Sequence, residues 1–175
     1  MKIRQFRRSF RLVPLLSTAA LAAVLSGPLS AQTPVADISA RVGDFSLLDQ
    51  NGYFHHMSWY DNRKAIVLLV QANDSMAFRQ ALPTFSALQA THKDDFQFFM
   101  LNPLGESRAS VIDAVAAAGD TIPVLIDDAQ LIAEAMNVQT AGEALIYDPR
   151  SFRLVYRGPV SGLEKALSEI DAGQA

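Results

Sequence analysis

Residues 65–70, Ala-Ile-Val-Leu-Leu-Val, form an unbroken apolar run. A run of this length, rich in β-branched residues, predicts a strand buried on both faces. The chain then turns polar at Gln71-Ala72-Asn73-Asp74-Ser75. Asp74 or Ser75 can cap a helix by accepting from its first free N–H groups. Phe78, Leu82, Phe85 and Leu88 follow at the spacing of one helix face. Pro83 falls inside this pattern and is expected to kink the helix. In α/β proteins a loop at a strand's carboxyl end that opens a helix is the usual seat of chemistry.

The remaining pattern alternates in the same way. Phe45-Ser46-Leu47-Leu48 and Tyr53-Phe54-His55-His56 flank Asp49-Gln50-Asn51-Gly52, which predicts a hairpin. Trp59 and Tyr60 are expected to anchor the next turn onto the core. Residues 96–101 read as a second buried strand, and residues 107–118 as an alanine-rich helix ended by Gly119. A short apolar stretch at 123–126 and a short helix at 129–136 follow. Residues 144–147 and 153–157 are two strands joined by Asp148-Pro149-Arg150-Ser151, and residues 162–170 are a closing helix. Strands alternating with helices and ending in a hairpin plus helix predict an α/β fold around a sheet of mixed strand directions.

Charge changes the picture at the start of the chain. Lys2, Arg4, Arg7, Arg8 and Arg11 precede an apolar stretch at 12–25 and a passable cleavage site at Leu29-Ser30-Ala31. This is the layout of an export signal, too short for a comfortable membrane span. Arg7-Arg8-Ser9-Phe10 resembles a twin-arginine signal; an ordinary signal with clustered arginines is the alternative. Residues 32–41 would then be a flexible lead and 42–175 the folded domain. Removing the five basic residues moves the formal charge from −3 to about −8, which disfavours nucleic acid and anionic membrane as partners. The chain contains no cysteine, so thiol catalysis, thiolate metal sites and disulfides are excluded outright.

Several short motifs carry a resemblance. Val42-Gly43-Asp44-Phe45 with Asp49-Gln50-Asn51-Gly52, Pro123-Val124-Leu125-Ile126-Asp127-Asp128, and Leu154-Val155-Tyr156-Arg157-Gly158 occur in this order and at suitable spacing. Together they resemble the thioredoxin-like redoxins, the AhpC/TSA and peroxiredoxin-like group. The resemblance implies a thioredoxin-like fold with an N-terminal β-hairpin. It also implies an active site. The family's first strand leads into C-x-x-C, with a helix proline eight residues after the first cysteine. Ser75 lies eight before Pro83, so Ser75 and Phe78 take the two cysteine positions and Met76 stands where many redoxins have proline. The family's cis-proline corresponds to Gly142, preceded by Ala141.

These departures bear on function. Peroxide reduction and disulfide exchange need a thiolate, and a serine in its place needs a nearby base. His55, His56 and His92 are the available histidines. His55 and His56 are adjacent, so on a strand they point to opposite faces. His55, His56, Met57 and Met76 are the soft or imidazole ligands near the expected site, but without metal-binding spacing; Met57 and Met76 read more simply as core fillers. No catalytic residue, metal or cofactor is therefore expected. The expected role is non-catalytic, a binding or assembly factor of the bacterial envelope, in the periplasm. Its partner would be another envelope protein or an extended peptide segment. The binding face would comprise Asn73, Asp74, Ser75, Met76, Arg79, Ala141 and Gly142, with Met76 as an exposed apolar contact. The alternatives are an oxidoreductase subunit that takes its redox centre from a partner, or a metal-binding envelope protein. The oligomeric state is not legible.

The export signal has a direct test. Protein recovered from the envelope of its native host should begin near Gln32, as read by N-terminal sequencing; an intact Met1 on the folded protein there would remove the export assignment.

Overall fold

A computed structural model describes residues 41–173. They fall within one compact unit, Val35–Ala175. The expected signal peptide at 1–31 and nearly all of the expected lead at 32–41 lie outside the described residues. Arg41, at the end of that lead, bridges to Arg153 and sits 5.5 Å from the Phe152 ring centroid.

The architecture is a mixed seven-stranded sheet in the order β2-β1-β5-β4-β3-β6-β7. In chain order the strands are β1 (Ser46–Asp49), β2 (Phe54–His56), β3 (Ile66–Val70), β4 (Gln97–Asn102), β5 (Val124–Ile126), β6 (Glu143–Asp148) and β7 (Arg153–Pro159). The helices are α1 (Met76–His92), α2 (Arg108–Ala118), α3 (Leu131–Ala135) and α4 (Leu163–Asp171). β3 pairs parallel with β4 and antiparallel with β6, and β4 pairs parallel with β5. The parallel steps need crossovers, and α1 and α2 supply them.

All five residues of β3 are buried. Val67 and Leu69 face a core that Phe78, Leu82, Phe85 and Leu88 of α1, Phe98 and Met100 of β4, and Leu163 and Leu167 of α4 complete. Ile66, Leu68 and Val70 face the second core, with Met57, Phe99, Leu125, Met136 and Tyr147. The run at 65–70 is thus continuous because both sides of the strand are covered. α1 is one helix through Pro83, although that residue cannot donate to the Arg79 carbonyl one turn back.

Three local expectations change. Trp59 does not anchor the turn after β2: it is 62% exposed, and the fully buried Met57 takes that place, with Tyr60 packed edge-on to Phe99. The physical reason is the short 3-10 turn Met57–Tyr60: with three residues per turn, Met57 and Tyr60 share the inner side and Trp59 lies off it. The helix expected at 129–136 shrinks to Leu131–Ala135, because Gln130 adopts a left-handed φ of 60° and Met136 ends the turn. The closing helix begins at Leu163 after the 3-10 turn Val160–Gly162.

Phe85 is fully buried and meets Phe98 edge-on at 5.4 Å. Phe85→Ala should lower the unfolding free energy by about 3–5 kcal/mol in a denaturant titration. A loss under about 1 kcal/mol would mean that this ring is not a core residue.

Candidate functional site

The carboxyl ends of β3 and β4 each finish on an amide. Gln71 follows the apolar run of β3, and Asn102 ends β4; both are fully buried. Asn102 Nδ2 donates to Gln71 Oε1 at 2.5 Å and to Glu106 Oε2 at 2.6 Å. Gln71 Nε2 donates to Asn73 Oδ1 at 2.8 Å. The Asn73 backbone N–H is 3.2 Å from both carboxylate oxygens of Glu106, and Asn73 Nδ2 donates to Ser110 Oγ at 3.3 Å. Two buried amides would be expensive in an apolar interior without partners. Here they satisfy each other and tie the β3–α1 loop to the β4–α2 loop.

Ser75 caps α1. Its Oγ accepts from the Phe78 N–H at 3.1 Å, the geometry of an N-cap. Asp74 is exposed and does not cap. Phe78, at the second cysteine-like position, is a buried core ring. Met76 is 62% exposed on the first turn of the helix, so it is not a core filler. Arg79 bends back, with guanidinium nitrogens 3.4 Å from the Asn73 and Asp74 carbonyls.

Gly142 faces this helix start. Its N–H donates to the Val70 carbonyl at 2.8 Å, and its φ of 83° is left-handed. A Cβ built there would lie 2.8 Å from the backbone C and O of Ala77. The loop therefore lies against the first turn of α1 as closely as backbone allows, and a side chain at 142 must push it away. Ala141 also packs on the core beneath. Thus the structure brings Gly142 onto the backbone of Ala77 and Phe78 at the start of α1.

Beside this contact lies a cleft of about 510 Å³ between Val70, Gln71, Leu104, the α3 residues Ala133 and Glu134, and the 137–141 loop. Gln71 and Ala141 line it, whereas Asn73, Asp74, Ser75, Met76, Arg79 and Gly142 lie outside its lining. The sequence reading missed Asn102, Glu106 and the α3 wall. Asn102 had a visible signal, a polar residue closing the run Phe98-Phe99-Met100-Leu101 just as Gln71 closes its own. Glu106 and the α3 wall had none, because their role depends on which loops meet.

The histidines belong elsewhere. β2 is the edge strand, four positions from β3, and the His55 ring meets Phe99 edge-on at 4.9 Å, on the face of the second core. His55 Nε2 is 3.2 Å from the buried Asp49 carboxylate and its Nδ1 is 2.7 Å from the Tyr60 hydroxyl. With Asp49 accepting the Nε2 proton, Nδ1 accepts from Tyr60. Burial, and then the Asp49 charge, raises the Tyr60 pKa. His56, on the opposite face, joins Ser46 Oγ at 2.5 Å to Asp44 Oδ2 at 2.9 Å. His92 is on α1, 3.4 Å from Glu164. Both hairpin histidines are held by their neighbours and neither serves Ser75. Among the described residues no group of three or more histidine, aspartate or glutamate side chains is placed to hold a metal ion.

No family model and no curated protein sequence matches this chain. Solved structures do. The pneumococcal exposed lipoprotein thioredoxin Etrx1 from Streptococcus pneumoniae is similar at a TM-score of 0.62 and 20% identity, over 73% of this chain and 99% of that one. Peroxidoxin BcpB from Mycobacterium tuberculosis gives 0.63 and 15% over 77% and 96%. DsbF of the same bacterium, solved in mixed oxidized and reduced forms, gives 0.63 and 18% over 76% and 98%. The fold is thioredoxin-like. This chain carries that fold without a cysteine, and the thioredoxin-like helix start is capped by a serine hydroxyl.

Gly142→Ala should destabilise the chain by about 2 kcal/mol or more, from the left-handed backbone and the displaced contact together. Ala141→Gly serves as a control for the same loop. A Gly142→Ala variant that melts with the parent would show that this loop does not bear on α1.

Proposed function

We propose that this chain is a non-catalytic thioredoxin-fold binding protein of the bacterial envelope. It docks an extended segment of another envelope protein against the start of α1 and the 141–142 loop. The observation that carries this reading is the Ser75 hydroxyl. It stands at the position of the first thiol by resemblance, accepts from the Phe78 N–H, and has no histidine base beside it. A hydroxyl so used cannot do the chemistry of a thiolate. What the site still offers is surface: Met76, exposed and pliable, at the helix start that Gly142 faces.

Export is supported by the basic and apolar pattern of residues 1–31. The similarity to an exposed lipoprotein thioredoxin agrees with it. Among the described residues no helix is long and apolar enough to cross a membrane.

Two measurements test the reading. The purified protein should reduce neither insulin disulfides nor hydrogen peroxide above the blank, with or without added thioredoxin; turnover abolished by Ser75→Ala would overturn it. A photo-crosslinking amino acid at position 76 should capture a discrete envelope protein in the native host. Met76→Glu should remove that protein from co-purification while changing stability by no more than about 0.5 kcal/mol. A large stability loss, or unchanged co-purification, would sink the docking face.

A further inference from the structure

The cleft beside the helix start has a composition that the fold does not require. Its walls contain no lysine or arginine, and Glu134 is the one charged residue among those that line it. Behind its floor, Glu106 is joined to Gln71 through Asn102. Arg79, in the first turns of α1, bends onto the carbonyls of Asn73 and Asp74, outside the cleft lining. The one formal charge on the lining is therefore negative.

The lining also has two textures. Val70, Leu104, Ala133 and Val138 offer apolar surface, and Gln130, Asn137, Gln139 and Thr140 offer amide and hydroxyl groups, with the Asn137 oxygens already accepting from Gln139 Nε2. An arginine or lysine side chain has the same division, with methylenes that seek apolar contact and a head that seeks acceptors and negative charge. A volume of about 510 Å³ exceeds one side chain and suits a few residues of extended chain.

The cleft is also held in shape. The amide network fixes the two loops on one side. On the other side Asp127 Oδ2 accepts from the Ile132 and Ala133 N–H groups and so caps α3 in place of Gln130. Gln130 keeps a left-handed φ of 60° without serving as that cap. Asn137, at a φ of 50°, follows the helix end, where asparagine is common. A strained non-glycine residue lining a cavity is a feature of ligand sites, and a preformed cleft loses less entropy on binding.

We propose that the cleft receives a basic side chain, arginine or lysine, of the partner's extended segment, with Glu134 as its counter-charge. This rests on the reading that the chain binds an extended protein segment, and it names the chemistry of that segment. The probe is acetyl-alanyl-arginyl-alanine amide, titrated into the full chain alongside its citrulline and glutamate counterparts. Binding is followed by calorimetry and by amide chemical shifts. Citrulline should weaken binding by about fivefold, the worth of a partly exposed ion pair, and glutamate should bind more weakly still. Glu134→Gln, on an exposed position, should erase the preference for arginine over citrulline. Added salt should reduce it. The shifts should fall on the Gln71 side chain and on residues 137–141. Equal binding of the three peptides, a preference that survives Glu134→Gln, or shifts confined to residues 75–78 would each overturn the proposal. Shifts in the cleft together with co-purification unaffected by Met76→Glu would support the cleft and remove the docking face, so the two readings fail separately.

Discussion

The strand Ile66–Val70 has no side that faces water, and each neighbouring element exists in part to cover it. β4 and β6 take its two edges. α1 and α4 close one face, while Met57, Met136 and the hairpin close the other. Burying a side chain of this kind contributes about 1.5–3 kcal/mol, so five in a row concentrate the hydrophobic driving force at the centre of the sheet. The strand must then end somewhere, and it ends on a polar residue that the same cover keeps dry. Gln71 is fully buried, so the problem passes from packing to hydrogen bonding.

Asn102 answers it. It sits at the matching end of the neighbouring parallel strand, and parallel pairing brings two strand ends to one edge of the sheet. The amides satisfy one another and recruit Glu106 and Asn73. The consequence is that the β3–α1 and β4–α2 loops are tied to each other. At this edge the chain carries Ser75 and no cysteine. A serine hydroxyl costs little at a helix start because it caps the first turn. Gly142 then lets the opposing loop approach the helix backbone as no other residue would.

Charge completes the account. Glu134 is the one charged residue of a cleft otherwise lined by amides, a hydroxyl and apolar side chains, and it is the group that the proposed basic side chain would meet.

Much was legible in the sequence because it depends on period and on residue type alone. The apolar run at 65–70, the helix face of Phe78, Leu82, Phe85 and Leu88, the Gly119 stop and the closing hairpin are local patterns, and burial enforces them directly. The absence of cysteine is a matter of counting, and it settles the thiol chemistry without any coordinates. The rest required contacts between segments far apart in the chain. Trp59 and Met57 are two residues apart, and only the turn of the backbone decided which one went inside. Met76 could fill a core or face water, and its place on the first helical turn left it outside. Asn102 and Glu106 gained their meaning from Gln71, thirty-one positions earlier than Asn102. The cleft exists because α3, the 137–141 loop and the ends of two strands meet at one edge. Hydrogen bonds and cavities of that kind are properties of tertiary juxtaposition, which no local period encodes.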